Sequence, residues 1–525
     1  MSLSRVYSRG EAGLASPQVT IEVHLTNGLP RTQMVGLAET AVKESKERIR
    51  SALLNAGFEY PRKVVTINLG PADLPKHGNR YDLPIAMGIL AAMGHIETGR
   101  LEAYEFMGEL ALNGDVKSIT GILPAAWQTL KAGRQLVIPA ACAREVALLK
   151  SRAIRVVSDL QNLVRDINQD ELTPAHVYVE SHEAKYGAPQ DAIQTLSAAA
   201  QFQALPEKPL KLSDIKGQQA AKRAVAIAAT GAHNLLLMGL PGAGKSMLAA
   251  RLPGLLPALE EMELLELTAI RSITRSSQQD TTGSSHPSRP FRAPHHSISY
   301  AALCGGGMWP KPGEISLAHH GVLFLDEIPE FSRNVLESLR EPLETGQISI
   351  SRSRQQVVYP ARFQLVATMN PCPCGYAGGD SDRCHCRPEA INRYRNRVSG
   401  PLLDRIDLQV DVPPLQAGDF FASGDNSDLD ETVLKRNIWR ARQFAIEQRA
   451  KPNAWLDSQE TQHYCRLDRE KEQLLEQAID RLGISARGAY KIMRVALTIS
   501  ELDGSPAISK EHLLEAMSYR LPDQF

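Results

Sequence analysis

A phosphate-binding motif in the middle of the chain constrains its fold more than any other feature of the sequence. Residues 239–246 read Gly-Leu-Pro-Gly-Ala-Gly-Lys-Ser and fit the pattern G-x-x-x-x-G-K-[ST]. The apolar run Asn234 to Met238 precedes the motif, and the helical run Met247 to Leu252 follows it. Because the motif needs this strand-to-helix setting, the alternative of a glycine-rich turn without a ligand is disfavoured. The sequence therefore predicts an α/β domain with a nucleotide-phosphate site.

Two adjacent carboxylates follow a second apolar run. Val322 to Leu325 lead directly into Asp326 and Glu327, which is a Walker B pattern. Asp326 would hold Mg²⁺ through water or Ser246, and Glu327 would polarise the attacking water as general base. By themselves the two residues are more typical of the solvated end of a core strand. The P-loop upstream favours the catalytic interpretation.

The P-loop assigns a separate task to each residue type. Lys245 would reach the β- and γ-phosphates, Ser246 would bind Mg²⁺, and the glycines would let backbone N–H groups surround phosphate oxygens. The predicted cofactors are therefore ATP and Mg²⁺. The predicted nucleotide-binding residues are Gly239, Leu240, Pro241, Gly242, Ala243, Gly244, Lys245, Ser246 and Asp326.

Three further polar residues complete the predicted site. Asn370 follows the apolar run Phe363 to Ala367 and would position the water, although a lone asparagine after a strand is usually a turn residue. Arg405 lies among carboxylates, and Arg487 opens a helical run. Such arginines stabilise charge on a transferring phosphoryl group, often from a neighbouring subunit. The residues alone favour surface salt bridges for both.

Length and composition predict several domains of an ordinary globular protein. At 525 residues, with 43% hydrophobic and 22% charged residues, the chain exceeds one hydrophobic core and fits about three domains. Strand and helix patterns, a polar stretch rich in Ala, Gln and Pro, and a final helical stretch set the boundaries. We predict an α/β domain over residues 1–180, a linker over 181–210, a second α/β domain over 211–415 and a helical domain over 416–525.

Periodicity places the main elements of these domains. Strands are predicted over Val19 to Leu25, Lys63 to Asn68, Gln135 to Ile138, Asn234 to Met238, Gly321 to Leu325 and Phe363 to Ala367, and helices over Leu37 to Ala56 and Leu83 to Met93. The segment Met1 to Leu14 lacks the apolar core of a secretory signal, and no run approaches the roughly 18 residues of a membrane span. We therefore expect a cytoplasmic location.

Four of the seven cysteines form two close pairs. Cys372 and Cys374 are one pair, and Cys384 and Cys386 are the other. Two short pairs joined by a glycine-containing loop can supply the four soft ligands of a structural zinc site, and His385 could replace one thiolate. Four free thiols, or disulfides and redox switching, are the alternatives. If zinc binds, it would stiffen a loop from which motion could be passed to a nucleic acid.

The charge balance gives no global indication of a nucleic-acid partner. Lys plus Arg and Asp plus Glu number 59 each, so the formal net charge is zero. Three stretches, within 271–300, 348–362 and 387–397, nevertheless carry local basic excess. In a ring, such stretches would converge on the axis and create a phosphate-facing field, whereas an ordinary solvated surface is the alternative for each. Arg352, Arg354, Arg395 and Arg397 belong to the last two stretches and are the candidates for contact with a nucleic acid such as DNA.

Together these residues resemble the AAA+ ATPases of the magnesium-chelatase-like branch, and specifically the ComM/YifB family of bacterial proteins linked to DNA uptake and recombination. The resemblance covers nearly the whole chain. The strings that carry it include Arg292-Ala293-Pro294-His295-His296-Ser297, Asn370-Pro371-Cys372-Pro373-Cys374-Gly375 and Ile484-Ser485-Ala486-Arg487. The resemblance implies a P-loop core with a Lon-protease-like N-terminal domain and a C-terminal helical lid.

The resemblance also implies roles for individual residues. Asn370 would be sensor 1, Arg405 a finger acting on a neighbour's nucleotide, and Arg487 sensor 2. An arginine finger that acts on a neighbour's nucleotide needs a neighbouring subunit, so the resemblance implies a ring, which is expected to be a homohexamer. In related proteins the hairpin before sensor 1 points into the pore, which makes Arg352 and Arg354 the first choices for phosphate contact. The implied function is an ATP-driven helicase that promotes branch migration of DNA during natural transformation and homologous recombination.

Other functions remain open at this point. A Lon-type peptidase would need a Ser/Lys dyad, but Asp82 stands at the serine position and Leu123 near the lysine position, so we predict no peptidase activity. The N-terminal domain would instead build the ring or guide DNA. A magnesium-chelatase motor subunit and an ATP-switched assembly scaffold are the competing functions. Glu327 argues against the scaffold, because a pure switch needs no general base.

Overall fold

We describe the fold from a computed structural model of the 525-residue chain. The structure describes residues 2–36, 40–186, 210–274, 288–307, 309–352, 355–378, 383–415 and 430–520. In these ranges, no helix combines the length and the apolar character needed to cross a bilayer.

The first region is built on a mixed sheet of eight strands. In spatial order the strands are Thr173–Pro174, Ile154–Val157, Gln135–Pro139, Tyr104–Phe106, Ser2–Arg9, Gln18–Thr26, Val64–Gly70 and Arg31–Val35. Buried residues alternate along Gln18–Thr26 and Val64–Gly70 because successive side chains of a strand point to opposite faces. The three strands predicted in this region are confirmed. The strand Ser2–Arg9, in the middle of the sheet, was not predicted.

Helices cover this sheet. They are Thr40–Asn55, Asp82–Met93, Thr98–Leu101, Ile122–Lys131, Ala143–Val146, Leu160–Gln169 and Ala175–Tyr186, and a short hairpin pairs Glu109–Leu110 with Val116–Lys117. Asp82–Met93 packs on Ser2–Arg9 and Gln18–Thr26 and is buried along almost its whole length. The helix predicted over residues 83–93 is confirmed. For the helix predicted from Leu37, residues 37–39 lie outside the described residues.

The second region contains a sheet of five parallel strands. In spatial order they are Phe291–Arg292, Val322–Leu325, Gln364–Met369, Leu235–Met238 and Leu408–Asp411. We call Leu235–Met238 the P-loop strand, Val322–Leu325 the carboxylate strand and Gln364–Met369 the asparagine strand; all three were predicted and are fully buried. Because the strands are parallel, the residues that follow them meet at one edge of the sheet.

Short helices and two antiparallel ladders complete this region. The helices are Gln219–Gly231, Lys245–Ala249, Glu261–Thr274, Tyr300–Cys304, Glu314–Leu317, Arg333–Ser338, Arg340–Thr345, Pro388–Arg395 and Gly400–Leu403. One ladder pairs Gly305–Gly306 with Lys311–Pro312. The other pairs Gln347–Arg352 with Gln355–Pro360. We call this second ladder the basic hairpin; Arg354 lies outside the described residues.

The third region is helical in its described part, as predicted. Its helices are Glu431–Arg449, Ser458–Tyr464, Arg469–Leu482, Ala486–Leu502 and Lys510–Ser518. Gly483, with φ 63°, ends one helix in the left-handed conformation, and the Ser485 side chain caps the next by accepting from the Gly488 N–H. The helix Ala486–Leu502 shares a hydrophobic core with the five-stranded sheet.

The first region contacts the second in several places among the described residues: the helix Ile122–Lys131 packs on Glu261–Thr274, and loop residues add further contacts. A Cβ atom built at Gly13 would lie 2.5 Å from a methyl carbon of Val357, so this loop backbone rests directly on the basic hairpin. The His77 ring stacks on Trp309, with ring centroids 3.9 Å apart and an interplanar angle of 15°. Both contacts join residues that are far apart in sequence.

Candidate functional site

The P-loop is a tight turn between the P-loop strand and the helix Lys245–Ala249. Gly239 has φ 156°, and a Cβ atom built there would lie 2.2 Å from the Val412 carbonyl oxygen. Gly244, at the N-cap of the helix, has φ 90°, a left-handed value that side chains disfavour. The backbone path itself therefore requires these two glycines of the motif.

Lys245 is held by the P-loop and by the asparagine predicted as a sensor. Its Nζ donates to the carbonyl oxygens of Gly239 at 2.8 Å and Leu240 at 2.9 Å, and to Oδ1 of Asn370 at 3.0 Å. Burial lowers the pKa of Lys245, while Asp326 and Glu327 act in the opposite direction. The structure thus brings the lysine close to both carboxylates.

The two carboxylates are joined by a threonine that the sequence did not single out. Thr368 Oγ1 donates to Asp326 Oδ1 at 2.5 Å and accepts from the Glu327 backbone N–H at 2.9 Å. Ser246 Oγ donates to Asp326 Oδ1 at 3.1 Å, and Asn370 Nδ2 donates to Glu327 Oε1 at 3.2 Å. Together with the Lys245 contact, these bonds form one continuous circuit around the edge of the sheet.

Glu327 itself has an unusual backbone. Its φ is 53°, in the left-handed region that is uncommon for residues other than glycine. Strain of this kind is concentrated at functional sites, where the surrounding structure holds it in place. Both Glu327 and Asp326 are exposed at the end of a fully buried strand.

Arg405 and Arg487, predicted from separate parts of the sequence, meet at one carboxylate. Arg405 lies 2.6 Å from Glu344 Oε1, and Arg487 forms an ion pair with the same oxygen. Burial raises the pKa of Glu344, but hydrogen bonds from Arg487 and Arg405 outweigh it and lower the pKa overall. A cavity of about 610 Å³ opens beside the pair and is also lined by Arg395 and Arg520.

A buried ion pair fixes the two arginines relative to each other. Asp407, two residues after Arg405, lies 3.1 Å from Lys491 Nζ, and Lys491 and Arg487 are both on the helix Ala486–Leu502. His233 Nδ1 lies 3.3 Å from the other oxygen of Asp407. Burial opposes ionisation of Asp407, but Lys491 and His233 outweigh it and lower its pKa.

The four cysteine sulfurs of the predicted zinc site lie together. All four Sγ atoms, from Cys372, Cys374, Cys384 and Cys386, are within 4.8 Å of one another. Cys372 Sγ is 3.3 Å from Cys374 Sγ and 3.8 Å from Cys384 Sγ. Zn–S bonds of about 2.3 Å in a tetrahedron place sulfurs ~3.8 Å apart, so the arrangement fits zinc.

Backbone groups also bond to these sulfurs. The Ala377 N–H donates to Cys372 Sγ at 3.3 Å. A hydrogen bond from the Tyr376 backbone lowers the pKa of Cys374 to about 6. Bonds of this kind favour thiolates, which are the form that binds metal.

A second group of metal-capable side chains consists of Glu266, His319 and His320. Both imidazole Nε2 atoms lie near Glu266 Oε2, at 3.0 Å for His319 and 2.7 Å for His320. His319 Nδ1, however, accepts from the Arg362 backbone N–H at 3.0 Å, so a neutral His319 ring carries its proton on Nε2. That nitrogen donates to Glu266 and is not available to a metal. Burial lowers the pKa of His319 to about 4, which keeps the ring neutral.

Among the residues predicted to contact DNA, Arg352 lies at the outer end of the basic hairpin. It is exposed, and a Cβ atom built at Gly306 would lie 2.9 Å from its guanidinium. Tyr300, on the helix before Gly306, is also exposed. Arg354, two residues further on, lies outside the described residues.

Arg395 and Arg397 have partners within the chain. Arg395 Nε donates to the Pro371 carbonyl oxygen at 3.1 Å. Arg397 donates to Glu330 Oε2 at 3.2 Å and to the Pro329 carbonyl oxygen at 3.2 Å. The structure therefore places Arg395 against the start of the cysteine loop and Arg397 against the residues that follow the carboxylate strand.

At the positions of the absent peptidase dyad, Asp82 and Leu123 serve the fold. Asp82 is buried and accepts from Arg48 Nε at 2.9 Å and from the Leu110 backbone N–H at 3.3 Å. Burial raises the pKa of Asp82 to about 6. Leu123 is fully buried in apolar surroundings. The lack of peptidase activity stays a prediction.

Comparison with known proteins places this geometry in a family. The chain is 45% identical to Competence protein ComM of Haemophilus influenzae over 99% of this chain and 98% of that protein. It is 44% identical to the protein YifB of Escherichia coli over 100% of this chain and 98% of that protein. The chain belongs to the ComM/YifB family of magnesium-chelatase-like proteins.

The more distant matches agree with this membership. Residues 211–420 match the family "Magnesium chelatase, subunit ChlI", residues 21–142 match "Subunit ChlI of Mg-chelatase", and residues 430–520 match "Magnesium chelatase, subunit ChlI C-terminal". The Magnesium-chelatase 38 kDa subunit of Cereibacter sphaeroides is 24% identical over 60% of this chain and 93% of that protein.

Membership of the ComM/YifB family supports an AAA+-type ATPase that uses ATP and Mg²⁺. The residues present fit the cation, because Ser246 and Asp326 offer hard oxygen ligands side by side at the end of the P-loop. Bound there, Mg²⁺ would neutralise phosphate charge.

Proposed function

We propose that this protein is an ATP-driven DNA motor. It acts as a homohexameric ring and as a helicase that promotes branch migration of branched DNA during natural transformation and homologous recombination. The name of its relative Competence protein ComM supports this direction. The observation that carries the proposal is the hydrogen-bond circuit joining Lys245, Asn370 and Glu327, because a general base held next to the P-loop serves hydrolysis rather than simple binding.

In the proposed hydrolysis step, Glu327 accepts the proton of the attacking water. Asn370 orients the Glu327 carboxylate through its amide and can bond to the same water. Thr368 holds Asp326 in place for the metal, and Lys245 stabilises charge on the transferred phosphoryl group. The residues predicted from sequence and the threonine found in the structure then act as one unit.

Arg405 acts on the nucleotide of a neighbouring subunit, and Arg487, which shares its carboxylate partner, acts as sensor 2. Their shared partner Glu344, and the Asp407–Lys491 pair behind them, support a common role on a common surface. Two guanidinium groups presented together suit the charge that develops on a γ-phosphate. An arginine that acts on a neighbouring subunit requires a ring of subunits. In each subunit of the proposed ring, the N-terminal region is a Lon-protease-like module and the C-terminal helices are a lid.

The DNA path runs along the basic hairpin. Arg352 is exposed at its outer end beside Tyr300, which combines a phosphate partner with an aromatic ring for stacking. Arg354 belongs to the same proposal by its position in the sequence. Arg395 and Arg397 contribute DNA contacts only if they exchange their present partners. Recognition of the DNA backbone, without base-specific readout, is expected.

The cysteine cluster binds a structural Zn²⁺ ion. The four sulfurs of Cys372, Cys374, Cys384 and Cys386 support this proposal by their spacing. The ion would cross-link the two ends of the loop that follows the asparagine strand. Since every ligand position is filled by sulfur, the site has no open position for catalysis.

The decisive experiment measures ATP hydrolysis with and without four-way DNA junctions. Hydrolysis should rise with the junction and fall by about 100-fold or more in Glu327→Gln. Glu447→Gln, which changes an exposed carboxylate on the helix Glu431–Arg449, is the matched control and should behave as wild type. A rate of hydrolysis that does not change when DNA is added would exclude the DNA motor and favour a motor subunit of the chelatase type.

A second experiment tests the DNA path. Arg352→Ala should weaken binding to DNA of any sequence and reduce the salt dependence of binding by about one phosphate contact. Arg481→Ala, at an exposed position in the C-terminal helices, is the control. An unchanged salt slope in Arg352→Ala would remove this residue from the DNA path.

A further inference from the structure

The loop that carries the four cysteines begins at the nucleotide site itself. It leaves the asparagine strand at Asn370, whose side chain bonds to both Lys245 and Glu327. Cys372, two residues later, is fully buried. The first metal ligand is therefore separated by a single residue from the predicted sensor.

The same loop then packs against the P-loop. Gly375 is buried with φ 87°, and a Cβ atom built there would lie 2.5 Å from Pro241 Cγ and 2.9 Å from Pro241 Cδ. The Gly375 N–H donates to the Cys372 carbonyl oxygen at 2.9 Å. Pro241 is the third residue of the phosphate-binding motif, so the turn between Cys372 and Gly375 forms one wall of the P-loop.

The start of the loop is also held from its other side. Arg395 Nε donates to the Pro371 carbonyl oxygen at 3.1 Å, and the buried Tyr394 bonds to the Asn370 backbone. Both residues lie on the helix Pro388–Arg395, which begins two residues after Cys386. A metal that joins Cys372 and Cys374 to Cys384 and Cys386 would thus close a ring around the segment that touches Pro241.

We propose that occupancy of the cysteine cluster by Zn²⁺ sets the affinity of the P-loop for nucleotide, by holding the Gly375 backbone against the Pro241 ring. The proposal rests on the proposed zinc site and is independent of any action on DNA. Without the ion, the contacts that join the two cysteine pairs among the described residues are sulfur contacts and a bond from the Cys374 backbone to Cys386, so the turn at Gly375 is held less firmly against Pro241. The P-loop then loses one wall, and nucleotide binding must supply more of the order of the loop, which weakens binding.

The test uses two glycine substitutions in the full-length protein. Gly375 and Gly378 lie in the same loop and have similar left-handed φ values, 87° and 80°. A Cβ atom at Gly378 meets nothing within 4 Å, whereas one at Gly375 meets Pro241. Gly375→Ala and Gly378→Ala therefore carry the same backbone strain, and only the first disturbs the P-loop.

The readouts are zinc content and the Kd of a fluorescent, non-hydrolysable ATP analogue with Mg²⁺. Gly375→Ala should retain zinc and bind the analogue about tenfold more weakly, and Gly378→Ala should bind it as wild type does. Cys386→Ser should lose zinc and show the same weakening, as should wild type stripped by a chelator, with recovery on adding Zn²⁺.

Two results would overturn the proposal. One is an equal Kd for Gly375→Ala and Gly378→Ala; the other is a Kd that does not change when zinc is removed. Purified wild type without zinc would overturn both this proposal and the zinc site on which it rests. Because the assay contains no DNA, failure of the motor proposal would leave these outcomes unaffected.

Discussion

The two groups of metal-capable side chains lie at opposite ends of neighbouring strands and differ in what their ligand atoms can do. The cysteines follow the asparagine strand at its carboxyl end, whereas His319 and His320 precede the carboxylate strand at its amino end. At the carboxyl end, sulfur atoms face one another with N–H donors behind them. At the amino end, His319 donates to Glu266 and is fixed by a backbone amide. Proximity of potential ligand atoms is therefore not sufficient for a metal site, because each ligand atom must also lose its proton to offer a free electron pair to the metal.

Metal analysis should separate the two groups most sharply. We expect about one zinc per chain in wild type and almost none when Cys372 and Cys374 are both replaced by Ser, because a structural site loses its binding energy with half its ligands. The double substitution His319→Gln and His320→Gln is the matched control and should retain zinc. If the histidine double variant loses its zinc and the cysteine double variant keeps it, the metal site is the histidine group and not the cysteine cluster.

Lowering the pH should reduce the free energy of unfolding through the histidine group. His319 has an ordinary pKa of about 6.5 when unfolded and a pKa of about 4 in the fold. Between these values the unfolded chain binds more protons, so stability rises with pH from 4 to 6.5 and is constant above. The difference amounts to about 3 kcal/mol, at 1.36 kcal/mol per pKa unit.

Urea unfolding at pH 4.5, 5.5 and 7 measures this dependence, with His319→Gln as the comparison. The groups that face His319 are Glu266, His320 and Arg362, and Glu263 lies behind His320. Removing His319 should flatten the slope in this pH window. Equal slopes for the two proteins would assign the dependence to other groups.

A side chain at the carboxyl end should affect the reaction rather than the stability. Thr368→Val keeps the shape of the side chain and removes the hydroxyl that joins Asp326 to the Glu327 backbone. A hydrogen bond to a charged group contributes about 1.5–3 kcal/mol, so we expect kcat for ATP hydrolysis to fall by roughly 10- to 100-fold. Thr345→Val, at an exposed position, should leave kcat unchanged. An unaffected kcat in Thr368→Val would remove the threonine from the circuit.

The smallest effect should come from Glu266→Gln. The amide can still accept from one histidine, so the expected loss is about 1–2 kcal/mol in the free energy of unfolding. Nucleotide affinity should not change, because Glu266 contacts the amino end of the strand. A change in Kd for ATP with unchanged stability would show that the two ends are coupled.

The sequence was most informative where a function depends on neighbouring residues. The P-loop, Asp326 and Glu327 could be predicted because the apolar strands before them mark the edge where they emerge. Asn370 also follows an apolar strand, but a turn residue was the alternative there and its sensor role came from the family resemblance. The structure brings it to Lys245 and Glu327.

Other features depend on which strands and helices become neighbours, and the sequence does not contain that information locally. Threonine is common in strands, so the sequence does not distinguish Thr368; its contacts with Asp326 and Glu327 arise only because the carboxylate strand is its neighbour in the sheet. Glu344 joins Arg405 and Arg487 only because the helix Arg340–Thr345 packs between two regions. Phe291–Arg292, with two residues, is too short to produce a strand pattern.

The contacts of Gly13 with the basic hairpin and of His77 with Trp309 have a consequence for the order of folding. The ribosome delivers the first region long before the hairpin and the tryptophan emerge. Because contacts between residues far apart in sequence form slowly, the surface around Gly13 and His77 stays uncovered until most of the chain exists. The region that contains Gly13 and His77 is thus made before the residues that complete its surface.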